Sequence, residues 1–377
     1  MIEFNKRCLI GNIKKYTLES MKSSKISGDG SFSLKCHRWF ERKLQCKKVL
    51  LTTSCTHSLE MAAILLNIKY GDEVIMPSYT FVSTANAFVL RGAKIIFADI
   101  RPDTMNIDEV KIEQLITSRT KAIIAVHYAG VSCNMDIIMN IAKRYNIFVV
   151  EDAAQGMMSS YNGKPLGTIG HLGAYSFHET KNYTSGGEGG LLIINDDQFL
   201  ERAEIVREKG TNRSLFFRGM VDKYTWVDIG SSYLMNDLSA AYLYGQLTKA
   251  DYINSNRLKS WNKYFNGLRE LESCMYLELP TIPEGCIHNA HMFYIKVKDL
   301  ETRTKLLQFL NDHEICAVFH YVPLHSSPAG LMFGKMKHDR FTTSESDKLI
   351  RLPMYYGIKD LEINYIIKSI YDFYKNS

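Results

Sequence analysis

A lysine stands between an apolar run and a cluster of glycines. Gly173-Ala174-Tyr175-Ser176-Phe177 precedes Lys181, and Gly186, Gly187, Gly189 and Gly190 follow it before the apolar run Leu191 to Ile194. Upstream, Phe148-Val149-Val150 leads into Glu151-Asp152, with Gln155 just beyond. A carboxylate at the end of an apolar run is partly buried, and burial obliges it to find a cation or hydrogen-bond donors. A buried lysine sheds its proton readily, because burial disfavours the charged form. A neutral lysine can condense with an aldehyde, and a buried aspartate can keep a pyridine nitrogen protonated. Asp152 and Lys181 together therefore suit the two reactive ends of pyridoxal 5′-phosphate (PLP). Read separately, each has an ordinary alternative: a solvated surface lysine, and a structural ion pair or helix cap.

A phosphate needs donors. Ser54-Cys55-Thr56-His57 lies between the apolar run Val49 to Thr52 and a helical pattern, Ser58 to Ile68. Backbone N–H groups at a helix start, with the Thr56 hydroxyl, make an anion site; an ordinary N-cap is the alternative. Pro77-Ser78-Tyr79-Thr80-Phe81 offers an aromatic to cover a ring, although Tyr79 and Phe81 also suit a core. His313, His320 and His325 match no zinc spacing, so no metal is expected. Gly187-Glu188-Gly189-Gly190 lacks the order of a dinucleotide fingerprint.

These residues must be held by something. Short apolar runs alternate with helical patterns of about ten residues, which predicts βαβ units and a mainly parallel sheet. The runs are Glu73 to Met76, Ala93 to Ala98, Ala122 to His127 and Ile147 to Val150; the helices include Ser83 to Leu90 and Asp136 to Tyr145, with Ile137, Ile138, Ile141 and Ala142 inward. Ligands bind outside the carboxyl ends of such strands, where Asp152, His127 and the Ser176–Lys181 segment fall. A helix from Asn236 or Asp237 to about Leu247 precedes charged helical sequence. Beyond Pro280 and Pro283 the order changes to strand (Met292 to Val297), helix (Thr302 to His313), strand (Ile315 to Phe319) and a final helix (Leu361 to Tyr374). We expect a large domain over 1–250 and a smaller α/β domain over 251–377.

Composition sets limits. A chain of 377 residues exceeds one ordinary core. The net charge of +6 is too weak for a nucleic-acid partner. The eight cysteines form no C-x-x-C pair, which suits a reducing, cytoplasmic compartment. No apolar run reaches membrane-spanning length.

Six segments, in order, resemble the DegT/DnrJ/EryC1/StrS sugar aminotransferase family: Leu51-Thr52-Thr53-Ser54-Cys55-Thr56, Pro77 to Thr84, Val126-His127-Tyr128-Ala129-Gly130, Glu151 to Gln155, Ser176 to Asn182, and Pro323-Leu324-His325. The resemblance implies a PLP-dependent transferase of fold type I. Its large domain would carry a mainly parallel, seven-stranded type of sheet, followed by a smaller C-terminal α/β domain. It implies that Lys181 bonds the cofactor and moves the proton, Asp152 pairs with the ring nitrogen, Gln155 meets the ring hydroxyl, and Phe81 stacks on the ring. Thr56, the His57 backbone and Ser176 would hold the phosphate. Ser232 stands where family members carry an Asn that reaches the phosphate from the other subunit of a homodimer. Tyr183, Tyr321 and His325 are implied substrate contacts. Gly210 to Ser214 and Val221 to Trp226 further imply L-glutamate as donor and dTDP-4-oxo-6-deoxy-D-glucose as acceptor. The product would be dTDP-4-amino-4,6-dideoxy-D-galactose, a sugar of enterobacterial common antigen. Another keto-sugar, a gluco epimer or a non-catalytic relative are the alternatives.

Overall fold

The computed structural model describes residues 1–375. The apolar runs form strands β1 (Lys48–Thr52), β2 (Glu73–Pro77), β3 (Lys94–Ala98), β4 (Thr120–Val126), β5 (Phe148–Asp152), β6 (Leu172–Ser176) and β7 (Gly190–Ile194). Towards the C-terminus follow β8 (Leu277–Glu278), β9 (Phe293–Val297), β10 (Gly334–Met336) and β11 (Leu349–Leu352). The main sheet has the order β1-β7-β6-β5-β4-β2-β3-β10. Strands β2 to β6 run parallel, while β7 is antiparallel to both β1 and β6.

Helices cover both faces, so adjacent residues of one strand enter different cores. Ile124, Val150 and Ala174 pack with the helices Cys55–Leu65 and Val82–Val89. Ile123 and Val149 pack against Met135–Tyr145. In that last helix Ile138, Ile141 and Ala142 are buried, whereas Ile137, expected inward, is 37% exposed. The inward stripe follows the i, i+3, i+4 spacing from Ile138, which leaves Ile137 at its margin. Asn236 caps the helix Asp237–Leu247 by accepting from the Ser239 N–H.

The helix Ala250–Ser273 carries the chain into a second unit, an antiparallel sheet of order β8-β9-β11 packed on Leu300–Asp312 and Asp360–Lys375. Two segments cross the boundary expected at 250/251. The Ile2 N–H bonds the Glu314 carbonyl at 2.6 Å and the Met354 N–H bonds the Phe4 carbonyl at 3.2 Å, tying the N-terminus to the second unit. In return, β10 adds itself in parallel to β3 at the edge of the main sheet. The sheet thus has eight strands rather than seven.

One expected strand is absent. Ile315 to Phe319 makes only isolated bridges, Ile315 to Ile2 and Val318 to Arg351. A local bond from the Ala317 N–H to the Ile315 carbonyl turns the chain out of register. The place beside β9 goes to β11, an apolar run that Arg351 interrupts.

Candidate active site

The carboxyl ends of β4, β5 and β6 point into one cleft of about 520 Å³. His127, Asp152 and Ser176 reach it from those ends, and Lys181 from the turn after β6. The starts of the helices Cys55–Leu65 and Val82–Val89 bring Cys55, Thr56, Phe81, Ser83 and Thr84. The second unit closes the far wall with His291, His320, Tyr321 and Arg351, and Phe4 arrives from the N-terminus.

Asp152 is 7% exposed. Its Oδ2 accepts from the Thr84 hydroxyl at 2.7 Å and its Oδ1 from the Ala154 N–H at 3.2 Å. No cation among the described residues forms an ion pair with it. A buried carboxylate with two donors and no counter-cation has acceptor capacity left over. Burial lowers the Lys181 pKa below the ordinary lysine range, with Cys55 and Asp152 opposing and Arg351 assisting. Burial also pushes the Cys55 thiol well up, reinforced by Asp152, so Cys55 stays protonated.

Helix Cys55–Leu65 begins in this cleft. Ser54 caps it, its Oγ accepting from the His57 N–H at 3.1 Å. The His57 backbone donor assigned to phosphate is therefore already engaged, and the His57 ring bonds Thr53 and packs edge-on against Tyr233. Free donors remain at the Cys55 and Thr56 N–H groups, and Thr56 Oγ1 meets Ser83 Oγ at 2.8 Å. Gly190 makes the approach possible: a Cβ there would lie 2.4 Å from the Ser54 carbonyl. The glycine cluster after Lys181 thus brings β7 directly under the helix start. Gly186, at φ +91°, supplies the left-handed turn before it.

Gln155 Oε1 accepts from the Ala129 N–H at 2.6 Å, which leaves its amide to donate at 3.3 Å to Tyr321 Oη. Tyr321 packs near Phe81, with ring centroids 6.2 Å apart. Behind the cleft, His127 Nδ1 accepts the Cys133 N–H, so its Nε2 carries the proton and donates to Glu151 at 2.9 Å. Glu151 also accepts the N–H groups of Gly167, Ile169 and Gly170, which anchors β5 from below.

Three expected site residues lie elsewhere. Tyr183 is buried in one core cluster with Leu247 and Ile253, its hydroxyl donating to the Ala250 carbonyl at 3.1 Å, and it does not line the cleft. His325 bonds Ser78 at 2.7 Å and Asp339 at 3.2 Å, pinning the turn Leu324–Ser326 to the end of β2 outside the cleft. Ser232 is exposed on another face, beside Arg207 and Glu208. Thr84 and Ser83 also line the cleft, although in the sequence they look like ordinary helix residues at the end of Pro77 to Thr84. Sequence reasoning missed Arg351, whose signal was a lone cation inside an apolar run.

A doubly covered parallel sheet with a lysine and an unpaired aspartate at its carboxyl edge defines a PLP-dependent transferase of fold type I. Residues 7–371 match the family model "DegT/DnrJ/EryC1/StrS aminotransferase family". A protein of Methanocaldococcus jannaschii, MJ1066, is 35% identical over 94% of this chain and 92% of its own. GDP-perosamine synthase of Escherichia coli O157:H7 is 31% identical over 98% of this chain and 97% of its own. Among solved structures, S. venezuelae DesV, crystallised in complex with a ketimine intermediate, superposes with a TM-score of 0.87 at 25% identity, covering 96% of this chain and 94% of that one. The chain belongs to the DegT/DnrJ/EryC1/StrS aminotransferase family, and its cofactor is PLP.

Proposed function

We propose that the protein transfers the amino group of L-glutamate to the 4-keto group of dTDP-4-oxo-6-deoxy-D-glucose, giving dTDP-4-amino-4,6-dideoxy-D-galactose and 2-oxoglutarate. The observation that carries the aminotransferase chemistry is the unpaired Asp152 carboxylate in one cleft with a lysine whose proton is weakly held. The finer choice of sugar rests on the resemblance of the segments 210–214 and 221–226.

The residues divide the work by position. Asp152 suits the ring nitrogen, since it is a buried carboxylate on the cleft wall with acceptor capacity left over. Thr84 and Ala154 fix its orientation. Cys55 and Thr56 backbone donors, with the Thr56, Ser83 and Ser176 hydroxyls, suit a phosphate dianion at a helix N-terminus. Gln155 suits the ring hydroxyl and Phe81 the ring face. When bound, the cofactor supplies an electron sink that makes the substrate C–H acidic. Lys181, as a neutral amine, would accept that proton and deliver it to a carbon of the cofactor. The face from which Lys181 delivers the proton at C4 decides between galacto and gluco products.

We place the enzyme in the cytoplasm as a homodimer, in which Ser232 reaches the partner's cofactor phosphate. Eight free thiols support the compartment. The exposed side chains of Phe217, Met220, Tyr224 and Trp226 support a covered face. No helix among the described residues is long and apolar enough to cross a membrane. A GDP-linked 4-keto sugar is the second reading, favoured by the GDP-perosamine synthase relative. The test is to supply glutamate with each 4-keto sugar nucleotide and identify the product by mass spectrometry and NMR. An amino sugar formed from the dTDP substrate with galacto stereochemistry supports the proposal; turnover of the GDP sugar alone overturns it.

A further inference from the structure

His291 offers the cleft a hydrogen-bond acceptor that the protein does not use. It lines the cleft from the second unit, half-buried, two residues before β9. The backbone around it is pinned. Asn289 Nδ2 donates to the carbonyls of Gln155 and Met157 at 2.7 and 2.8 Å, and Arg257 donates to the carbonyls of Ala290 and His291 at 3.0 and 2.7 Å. The His291 ring meets Asn182, the residue after Lys181, with 3.0 Å between Nδ1 and Oδ1.

Hydrogen bonding fixes the tautomer. Asn182 Nδ2 donates to the Asn289 carbonyl at 3.0 Å, so the end that faces His291 is Oδ1, which only accepts. Nδ1 of His291 therefore carries the proton. Burial holds the ring well below the ordinary histidine range and so neutral, with Lys181, Arg257 and Arg351 assisting. Nε2 is left as a lone-pair acceptor, and no donor among the described residues bonds it.

A lone pair selects what it can face. It repels carboxylates, phosphates and a keto oxygen, and it binds only N–H or O–H. The amino donor brings one such group, its amine, which is taken up in bonding the cofactor. The keto sugar brings ring hydroxyls. After burial, Lys181 is the leading influence on His291, and Asn182 links the two, which sets the ring beside the centre where Lys181 acts. In a 4-keto-6-deoxy sugar, C3 on one side of that centre bears a hydroxyl. C5 on the other side bears the methyl group and the ring oxygen.

We propose that His291 Nε2 accepts a hydrogen bond from the C3 hydroxyl of the keto-sugar substrate, which makes His291 a specificity-determining residue. This rests on the sugar aminotransferase reading above and names one contact of its acceptor site. Through Asn182 the same ring ties that hydroxyl to the turn carrying Lys181, aligning C4 with the amine.

The test uses the PLP-loaded enzyme and its two half-reactions. Glutamate abolishes the visible cofactor band, and a keto-sugar nucleotide then restores it. The second step is run with the 4-oxo-6-deoxy sugar nucleotide that the enzyme accepts, dTDP- or GDP-linked, and with its 3-deoxy and 2-deoxy analogues. Wild type, His291→Asn and His291→Gln are compared. An Asn side chain keeps a donor for Asn182 but supplies no acceptor at the Nε2 position, whereas a Gln amide oxygen reaches it. Wild type should need roughly 10- to 100-fold more of the 3-deoxy analogue than of the parent sugar. His291→Asn should need about 10-fold more of the parent sugar and treat the two alike. His291→Gln should keep part of the discrimination, and the glutamate step should move far less in both variants. A wild type indifferent to the 3-deoxy analogue overturns the assignment without any variant. So does discrimination retained in His291→Asn, or discrimination by wild type against the 2-deoxy analogue alone. Equal losses in both half-reactions make Nε2 a partner of Lys181 and overturn it too. A wild type that loses its band with glutamate but regains it with no 4-keto sugar overturns the acceptor reading, and the assignment with it.

Discussion

The Asp152 carboxylate holds two hydrogen bonds from its own chain and meets no cation there. That imbalance has a measurable consequence. Asp152→Asn keeps the shape and removes the charge; kcat/KM is expected to fall by roughly two to three orders of magnitude, in a protein whose circular dichroism is unchanged. Thr84→Val removes the Oδ2 donor and should cost about 1–3 kcal/mol in the same measurement. Near-normal activity in Asp152→Asn would refute its pairing with the cofactor. Lys181 adds a pH dependence. Its amine works when neutral, and burial lowers its pKa. Rate should therefore fall with acid, through a pKa below the ordinary lysine value of about 10.4. Single-turnover rates across pH would show this, and an acid limb at or above the ordinary value would contradict it. Asp152 and Lys181 were legible in the sequence because each follows closely on an apolar run. Thr84 was not, because only the crossing of its helix over β5 makes it a ligand of the aspartate.

Among the elements, the start of helix Cys55–Leu65 does most to shape the anion end of the cleft. Ser54 spends its side chain on the His57 N–H. Ser54→Ala should lower folding stability by about 1 kcal/mol, read by denaturant unfolding. It also frees the His57 donor toward the cleft, so PLP affinity should not fall with stability. Gly190→Ala is the contrasting change. Its Cβ would strike the Ser54 carbonyl carbon and oxygen at 2.4 Å, pushing β7 and the helix start apart. PLP affinity should drop while the rest of the fold persists; an unaltered dissociation constant would refute that role. The cap and the glycine cluster were visible in the sequence, but their mutual contact was not, since it joins residues far apart in the chain. The same reason explains the misplaced strand Ile315 to Phe319 and the overlooked β11. Both are short apolar runs, and pairing with β9 is decided by tertiary contacts.

At the scale of the whole molecule, the cleft lies between the main sheet and the second unit, and the N-terminal residues Phe4 and Asn5 help close it. Sequence periodicity disclosed the alternation of strands and helices and the change of order after Pro283. It could not disclose that residues 1–5 and β10 each cross between the units, because neither segment is long enough to show a period. Ser232 faces away from its own cleft, and Phe217 and Trp226 are 69% and 79% exposed beside it in sequence. A symmetric pair of chains would cover this face and carry Ser232 to the neighbouring site. Light scattering should give the mass of a dimer, and a monomer at micromolar concentration that retains full turnover would contradict the shared site.

The claim on which the rest depends is that Lys181 bonds the cofactor. The purified protein should show a visible absorption band that borohydride abolishes. Peptide mass spectrometry of the reduced protein should then find the added pyridoxyl phosphate mass on Lys181. The label on a different lysine, or no label in a protein reconstituted with PLP, would contradict the account.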